Sequence, residues 1–298
     1  MSIVVFVSGG SRGFGRALSI AFAEKLFSTG NELTVVLLAR DEAGLNETRA
    51  LVLAAVPGAV VKVVVADLSD VDSIESIWAR ATEGIKPRPT RAILINNAGS
   101  TGPVCTLGEL GVGVGGVSVS ALRSSIDLNI VAPLLLTAAF LRWVEAYRDV
   151  TLVPLTPPNV IVNISSLAGI QPFPTMGVYS LGKAARDMFH GVVGVEHAGC
   201  GAVKTLSYAP GPMNTRLQSE TRTDSRLDTV TADFFAQMEA KGTWVDVNTS
   251  ARLCAQIITE NNYTTGAHMD YYDGPGTNCV TVAVVQAKGQ RPLPEPSN

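Results

Sequence analysis

The stretch Ile3-Val4-Val5-Phe6-Val7-Ser8-Gly9-Gly10-Ser11-Arg12-Gly13-Phe14-Gly15 decides the fold class of this 298-residue chain. Its first five residues are β-branched or aromatic, which is typical of a strand buried on both faces of a parallel sheet. Gly9, Gly13 and Gly15 follow in a Gly-x-x-x-Gly-x-Gly spacing, and an Ala-rich helical pattern continues to about Ser28. Glycine permits a tight turn and lets backbone N–H groups approach a pyrophosphate at the helix start. An ordinary strand–helix loop is the alternative, but this position between a strand and a helix favours a dinucleotide site.

The second predicted strand, Leu33 to Ala39, ends at Arg40, where dinucleotide-binding folds meet the adenosine ribose. An acidic residue there binds the ribose 2′-hydroxyl, whereas Arg40, with Arg12 in the Gly-rich turn, can hold a 2′-phosphate. The pattern favours NADPH over NADH, and a solvated arginine at a strand end is the alternative. A third strand, Val60 to Ala66, ends in Asp67-Leu68, where a polar group can read an adenine amino group.

Strand and helix patterns alternate along the chain, which indicates βαβ units and a parallel sheet. Further strands are predicted at 92–95, 160–164, 203–207 and 266–271, and helices at 41–56, 70–84, 122–148, 175–197, 213–241 and 247–259. The prediction is an α/β protein, a single-domain Rossmann-like doubly wound sheet of about seven strands with helices on both faces. The domain spans residues 1–273, with a substrate-covering segment at about 213–245. We expect the tail 274–298 to be partly disordered and the Gly-rich stretch 103–120 to be a surface loop near the site mouth.

Composition excludes several classes of function. Apolar residues make up 46% of the chain, and the net charge of −3 provides no basic field for nucleic acid. The four cysteines and three histidines have no spacing typical of a disulfide framework or a metal site. The N-terminus does not resemble a signal peptide, and the longest apolar stretch, Ile130 to Leu141, is short for a membrane span and contains Pro133. We therefore expect a cytoplasmic protein without a membrane segment.

Candidate chemistry lies in Tyr179-Ser180-Leu181-Gly182-Lys183, where Tyr179 and Lys183 are four residues apart and share a helix face. A free phenol has a pKa of about 10, and lowering it by ~3 units requires about 4 kcal/mol of differential stabilisation, which a nearby ammonium favours. Ser166, thirteen residues earlier, follows a strand whose carboxyl end lies at the edge where open α/β folds bind ligands. The spacing alone also fits a solvated helix face, so a catalytic role for Tyr179 and Lys183 depends on the other motifs of the chain.

Taken together, the motifs resemble the short-chain dehydrogenase/reductase family. They are the turn 9–15, Asn96-Asn97-Ala98-Gly99, Asn129, Ser166, Tyr179, Lys183 and Pro210-Gly211. The resemblance implies that Tyr179 donates a proton to the carbonyl oxygen, Ser166 hydrogen-bonds that oxygen, and Lys183 binds the nicotinamide ribose and lowers the Tyr179 pKa. Asn129 would hold a water that links Lys183 to solvent, and Ser165 is the less favoured serine because of its spacing. Family members usually pair through the helices matching 122–148 and 175–197, so the resemblance implies a homodimer.

The expected NADPH or NADP+ site combines the residues of these motifs. They are Gly9, Ser11, Arg12, Gly13, Phe14, Gly15, Arg40, Asp67, Leu68, Asn97, Ala98, Gly99, Tyr179, Lys183, Pro210, Gly211, Met213, Asn214 and Thr215. The expected substrate-binding residues are Ser166, Tyr179, Gly211 and Asp270. No metal is expected.

Within the family the chain resembles the sepiapterin reductase group, above all in Gly182-Lys183-Ala184-Ala185-Arg186-Asp187-Met188 and Gly266-Ala267-His268-Met269-Asp270. In that group an aspartate at the position of Asp270 anchors the pterin, whose N–H edge suits a carboxylate. The resemblance implies reduction of side-chain ketones of 6-substituted pterins, such as sepiapterin and 6-pyruvoyl-tetrahydropterin, in tetrahydrobiopterin biosynthesis. The loops 103–120 and 149–158 and the chain beyond Asp273 depart from the group. These departures leave the substrate range open, so a reductase of small diketones or other ketones is the first alternative. A non-catalytic NADPH-binding regulator is the second, although such proteins commonly lose the Ser, Tyr or Lys that are intact here.

Overall fold

The computed structural model describes residues 1–27, 30–85, 89–111, 116–146, 157–199 and 201–274. Its centre is one parallel sheet with the strand order β3-β2-β1-β4-β5-β6-β7. The strands are β1 (Ser2–Ser8), β2 (Glu32–Ala39), β3 (Val60–Val65), β4 (Arg91–Asn96), β5 (Asn159–Ile164), β6 (Val203–Ala209) and β7 (Ala267–Asp270). The prediction of a doubly wound parallel sheet of about seven strands is confirmed.

The strand order reverses at β1, which pairs with β2 on one side and with β4 on the other. Register brings the last residues of neighbouring strands level: Ser8 pairs with Leu38, Asn96 with Asn163, and Ala209 with Asp270. Ligands of open α/β sheets bind in the crevice at such a reversal, outside the carboxyl ends of the strands.

Nine α-helices are present among the described residues. They are α1 (Gly13–Leu26), α2 (Glu42–Ala55), α3 (Ile74–Thr82), α4 (Val119–Ile126), α5 (Ala132–Ala146), α6 (Gly177–His197), α7 (Arg216–Arg222), α8 (Thr229–Lys241) and α9 (Val247–Glu260). Helices α1, α2 and α9 contribute to the core on one face of the sheet, and α3, α5 and α6 to the core on the other.

Both faces of β1 are buried, which explains its continuous apolar run. Val5 and Val7 point into the core that α1 and α9 cover, whereas Val4 and Phe6 point into the opposite core. The Phe6 ring lies 4.8 Å from the Trp78 ring, between centroids, and packs against helix α3. A strand of alternating polar and apolar residues would expose polar groups to one of these two cores.

Two helical predictions need correction. The predicted helix 122–148 begins earlier, at Val119, and a five-residue π-helical segment, Asp127–Val131, joins α4 to α5 just before Pro133. The predicted polar helix 213–241 is two helices, α7 and α8. The side chain of Asp228 caps the second by accepting hydrogen bonds from the N–H groups of Val230 and Thr231.

The stretch 103–120 is only partly a surface loop. Val104 and Cys105 are buried, and the Cys105 N–H donates to the carbonyl oxygen of Thr175, 2.9 Å away, immediately before α6. The chain is exposed from Thr106 to Glu109, and residues 112–115 lie outside the described residues. Most of the predicted loop 149–158 and the tail beyond Gly274 also lie outside them.

The helical run Val119–Ala146 is longer than the apolar stretch Ile130 to Leu141 on which the prediction of no membrane segment was based. At 28 residues it is long and apolar enough, by length and composition, to cross a membrane. In this fold Leu136 and Phe140 of the run are buried in the core beneath β4 and β5. A core helix of a Rossmann-like sheet has the same length and composition.

Candidate active site

The Gly-rich turn forms one end of a cavity of about 1290 Å³ along the carboxyl edge of the sheet. Gly9 (φ 71°) and Gly13 (φ 55°) have left-handed backbone, which glycine adopts without strain. A Cβ at position 15 would lie 2.2 Å from the Gly9 carbonyl oxygen and 2.5 Å from Asn97 Nδ2. The turn therefore closes only around glycine, and it leaves the N-terminus of α1 facing the cavity. This geometry fits the pyrophosphate of a dinucleotide.

Three polar side chains lie at the outer end of this part of the cavity. Arg40 follows β2, Asp67 follows β3, and the Arg40 Nη1–Asp67 Oδ2 distance is 3.6 Å. Both side chains are exposed, as is Arg12 in the turn, and an exposed pair of this kind contributes only ~0–1 kcal/mol. The pair is weak enough for Arg40 to exchange Asp67 for a phosphate. Leu68, which is buried beside them, adds apolar surface for a base.

The segment Asn97-Ala98-Gly99 is fastened to the end of β1. The backbone N–H groups of Asn97 and Ala98 donate to Ser8 Oγ at 3.0 and 3.1 Å, and Asn97 Nδ2 donates to the Ser8 carbonyl oxygen at 2.9 Å. These bonds fix the β4 end of the cavity relative to the Gly-rich turn. The two cofactor motifs are therefore held as one rigid unit.

Ser166, Tyr179 and Lys183 meet near the middle of the cavity. Ser166 follows β5, and its hydroxyl acts on the Tyr179 phenol of α6 by favouring a lower pKa. Lys183, one turn further along α6, donates from Nζ to the Ile164 carbonyl oxygen at 2.6 Å, and Nζ lies 5.5 Å from the Tyr179 ring centroid. All three line the cavity. The geometry places a hydroxyl, a phenol and an amine around one point.

The charges around this point differ from the prediction that Lys183 lowers the Tyr179 pKa. Burial raises the pKa of Tyr179, while the Ser166 hydrogen bond and the positive charge of Arg186 act in the opposite direction. Burial, together with Arg186, holds the pKa of Lys183 well below its ordinary value. The cation acting on the phenol here is Arg186, which the sequence argument did not consider. Because the net shift is upward, the phenol is protonated at neutral pH.

Asn129 occupies the centre of the π-helical segment and does not line the cavity. Its Oδ1 accepts from the Ser100 N–H at 2.9 Å, and its Nδ2 donates to Ser125 Oγ at 3.1 Å. A Cβ on Gly182 would lie 3.1 Å from the Asn129 Cβ, so α6 approaches closely at this point. Asn129 thus lies behind the helix that carries Tyr179 and Lys183, and π-helical segments of this kind recur at functional sites.

The far end of the cavity combines a carboxylate with aromatic walls. Asp270, the last residue of β7, is half-buried and accepts a hydrogen bond from the Tyr272 N–H at 3.0 Å. Burial raises the pKa of Asp270; the Tyr272 N–H lowers it, Asp273 raises it, and His268 lowers it. Aromatic side chains of the same cavity come from Phe173 and from helix α8, namely Phe234 and Phe235.

A polar contact fastens helix α8 to the start of α6. Thr175 has φ 61°, a left-handed backbone that is uncommon for threonine, and its Oγ1 accepts from the Asp228 N–H at 2.9 Å. Val104, Met176, Leu227 and Phe235 form a small buried cluster beneath this contact. The segment carrying α7 and α8 therefore lies over the substrate end of the cavity.

Comparison with known proteins agrees with this geometry. A sequence model of the short chain dehydrogenase family matches residues 3–226. The chain belongs to the short-chain dehydrogenase/reductase family. As a member of it, the protein is an oxidoreductase that uses a nicotinamide cofactor.

Individual known proteins are also similar to this chain. The chain is 34% identical to the sepiapterin reductase of Rattus norvegicus over 272 residues, 91% of this chain and 96% of that protein. It is 25% identical to a benzil reductase, (S)-benzoin forming, of Bacillus cereus over 202 residues, 67% of this chain and 75% of that protein. The crystal structure of levodione reductase has the same fold, with a TM-score of 0.70 at 21% identity over 90% of this chain and 95% of that one.

The structure brings the expected binding residues of this family member together. Every expected cofactor-binding residue lines the one cavity, and so do the four expected substrate-binding residues, Ser166, Tyr179, Gly211 and Asp270. Asn129 is the expected residue that does not. Within the described residues, no group of three or more His, Cys, Asp or Glu side chains is arranged to hold a metal ion.

Arg186 is the main site residue that the sequence interpretation missed. It is fully buried, and its guanidinium donates to the Asn163 side chain at 2.7 Å, to the Ala98 carbonyl oxygen at 2.9 Å, and to the Asn96 carbonyl oxygen. Its pKa is lowered to about 10 by burial, so it is charged at neutral pH. The spacing of Tyr179, Lys183 and Arg186 on one helix face is the sequence signal that could have revealed it.

Proposed function

We propose that this protein is an NADPH-dependent carbonyl reductase acting on side-chain ketones of 6-substituted pterins, such as sepiapterin and 6-pyruvoyl-tetrahydropterin, in tetrahydrobiopterin biosynthesis. One observation carries the proposal: a single cavity contains the Ser166, Tyr179 and Lys183 group at its middle and the Asp270 carboxylate at its far end. The similarity to sepiapterin reductase over 91% of the chain supports it.

In this proposal Tyr179 donates the proton that the reduced carbonyl oxygen requires. Reduction needs a protonated phenol at the start of the reaction, and the raised pKa of Tyr179 maintains that form at neutral pH. Ser166, which lines the same cavity as the phenol, polarises the same oxygen. Lys183 would bind the nicotinamide ribose, and Asn129 would hold a water that links Lys183 to solvent.

NADPH, when bound, supplies the hydride. The turn Gly9 to Gly15 would hold the pyrophosphate of the bound cofactor, and Arg12 and Arg40 would bind its 2′-phosphate. The segment from Pro210 to Thr215 would contact its nicotinamide. Left-handed backbone at Gly211 (φ 77°) shapes this segment, and a Cβ there would lie 2.8 Å from Val245 Cγ2.

Asp270 anchors the pterin by accepting two parallel hydrogen bonds from the N–H edge of its ring. Phe173, Phe234 and Phe235 provide flat apolar surfaces against which a bicyclic ring can stack. The segment 213–245, which carries Phe234 and Phe235, closes over the ring and excludes water from the reacting carbonyl.

The substitution Asp270→Asn tests the anchor. The Asn Oδ1 can still accept from the Tyr272 N–H, so the fold is maintained while the carboxylate is removed. Loss of a charge-assisted bond of about 1.5–3 kcal/mol corresponds to a ~10–100-fold lower kcat/KM for sepiapterin. The rate with a small diketone, which has no N–H edge, should change by less than about 3-fold. Equal losses on both substrates would remove the pterin-anchor role.

A reductase of small diketones is the second candidate, and the similarity to benzil reductase favours it. It uses the same Tyr179, Ser166 and Lys183 chemistry but gives Asp270 no role. The Asp270→Asn comparison therefore separates the two candidates.

A non-catalytic NADPH-binding regulator is the third candidate. Tyr179→Phe should bind NADPH normally, since the ring remains, and should reduce neither substrate. Full activity in this variant would refute proton donation by Tyr179, and absence of activity in the wild-type protein would favour the regulator.

We also propose a homodimer formed through α5 and α6. Helix α6 exposes a stripe of apolar side chains, Leu181, Met188, Val192 and Val195, and Val195 is 79% exposed. A stripe of this kind is unfavourable in water unless another surface covers it. Sedimentation equilibrium should give twice the mass of 31.3 kDa, and Val195→Glu should give the monomer. A wild-type monomer at micromolar concentration would contradict the pairing.

A further inference from the structure

The short strand β7 places two titratable side chains at the substrate end of the cavity. His268 and Asp270 are two residues apart, and side chains two apart on a strand point to the same face. Both line the cavity, whereas Met269, between them, packs against the core on the other face. At about 3.3 Å per residue, the two Cα atoms are ~6.6 Å apart. The imidazole and the carboxyl are therefore neighbours.

The imidazole of His268 is held by a carboxylate from another element. Its Nδ1–H donates to Asp187 Oδ2 of α6 at 2.9 Å, and Ser165 Oγ donates to the same oxygen at 2.8 Å. Asn163 Nδ2 donates to the other oxygen, Oδ1, at 2.8 Å. The His268 and Asp187 side chains are 19% and 14% exposed, so this pair is largely shielded from water. Asp187 is thus a fixed anion whose nearest cationic partner is His268.

The other nitrogen of the ring has no such partner. Nε2 of His268 is buried and has no hydrogen-bond partner among the described residues. A neutral imidazole with its proton on Nδ1 would leave an acceptor there, whereas an imidazolium leaves a second N–H. The hydrogen bond to Asp187 raises the pKa of His268, against the effect of burial, and Asp187, Asp270 and Asp273 all favour the charged ring. Those three carboxyls are the charged groups that act on it.

Asp270 lies between opposing influences. Asp273, whose Oδ2 accepts from the Asp270 N–H at 2.8 Å, is a second anion and favours the protonated form of Asp270. The positive His268 ring favours the ionised form. Tyr272, which lines the same cavity as Asp270, has its pKa raised by burial and is therefore neutral. The His268 ring is therefore the cation that, together with the Tyr272 N–H, favours the ionised form of Asp270 against burial and Asp273.

We propose that His268 is a positioning residue for the substrate anchor: held by Asp187, it places a positive ring beside the half-buried Asp270 carboxyl and favours the ionised form, which accepts hydrogen bonds from a substrate N–H edge. The proposal rests on the proposed function, in that it gives Asp270 its ligand-binding form. It assigns no chemical step to His268. Its role is to favour the ionised form of Asp270.

The direct test is a 13C NMR titration of the Asp270 carboxyl in the full chain with NADP+ bound, with Asp270→Asn used to assign the signal. His268→Asn is the informative variant, because the Asn Nδ2 can still donate to Asp187 while the positive charge is lost. With the ~6.6 Å between the two Cα atoms taken as the charge separation, the Asp270 pKa should rise by roughly 0.5–2 units in this variant. His268→Gln, which also lacks the charge, is the second variant if the first does not fold.

Asp273→Asn provides the matched control with the opposite sign. It keeps a side-chain acceptor for the Asp270 N–H but removes the neighbouring anion, so the Asp270 pKa should fall. The double variant His268→Asn with Asp273→Asn should return the pKa toward the wild-type value. An unchanged Asp270 pKa in both His268 variants would overturn the proposal, and because no substrate is used, this result does not depend on pterin reduction.

Kinetics then connect the charge to the substrate. In His268→Asn the acid limb of the kcat/KM profile for sepiapterin should move to higher pH by the same 0.5–2 units, roughly. The profile for a small diketone should stay where it is. If the Asp270 pKa shifts but the sepiapterin profile does not, His268 has no part in anchoring and the proposal fails. If the wild-type protein does not turn over sepiapterin at all, the proposed function fails. The NMR titration would still show whether the charge of His268 affects the pKa of Asp270.

Discussion

Replacing Arg186 by Met should lower the free energy of unfolding of the protein. Arg186 is fully buried and donates to three acceptors, the Asn163 side chain and the carbonyl oxygens of Asn96 and Ala98. Methionine fills similar space but donates to none of them. Each buried acceptor left without a donor costs about 1–3 kcal/mol, and this substitution leaves three of them. We take about 3–5 kcal/mol, the lower part of the sum, since water and backbone shifts relieve part of the cost.

The assay is urea unfolding followed by circular dichroism, with thermal unfolding as a second measure. A loss of about 3–5 kcal/mol should lower the melting temperature by about 10 °C. Arg142→Met is the matched control, because Arg142 on the neighbouring helix α5 forms an ion pair with Glu75 in which both side chains are mostly exposed. It should cost less than about 1 kcal/mol. Equal losses in the two variants would refute the role given to Arg186.

Three further predictions concern the cofactor and the buried pair. Gly15→Ala places a Cβ 2.2 Å from the Gly9 carbonyl oxygen, so NADPH affinity measured by calorimetry should fall more than about 10-fold. Gly108→Ala, whose Cβ would lie in open space, is the control and should leave the affinity unchanged. Normal affinity in Gly15→Ala would contradict binding of the pyrophosphate by this turn. Arg40→Gln should weaken NADPH binding by about 10–100-fold and leave NADH within about 3-fold, and a parallel loss for both would exclude recognition of the 2′-phosphate. The Asp187–His268 pair should make stability depend on pH: the raised His268 pKa stabilises the fold fully below about pH 6.5 and less as pH rises through the folded-state pKa. The difference in unfolding free energy between wild type and His268→Asn should therefore be larger at pH 6 than at pH 9, and a constant difference would argue against a charged ring.

The sequence was most informative where residues close in the chain decide the structure. The apolar run before the Gly-rich turn requires a buried strand, and the turn needs glycine for its backbone angles, so both were predictable from Ile3 to Gly15. Alternating patterns then predicted the parallel sheet. Tyr179 and Lys183 lie on one helix, so their spacing alone places them together.

Contacts between distant segments were beyond this reasoning. Arg186 is bound by acceptors at 96, 98 and 163, and helical spacing alone does not indicate that the ends of two strands, β4 and β5, surround its guanidinium. The Asp187–His268 pair joins residues 81 apart in the chain. The break between α7 and α8 was missed because the Asp228 cap is a polar residue within a polar segment. The Tyr179 pKa depends on burial, which only the packed structure reveals.

The most direct measurement of the central proposal is the initial rate of NADPH oxidation by the full chain with sepiapterin, compared with a panel of small diketones. Anchoring by Asp270 predicts saturable turnover of sepiapterin, with a kcat/KM at least about 10-fold above that of any diketone, the factor that one charge-assisted hydrogen bond supplies. Oxidation of NADPH with diketones and none with sepiapterin would contradict it.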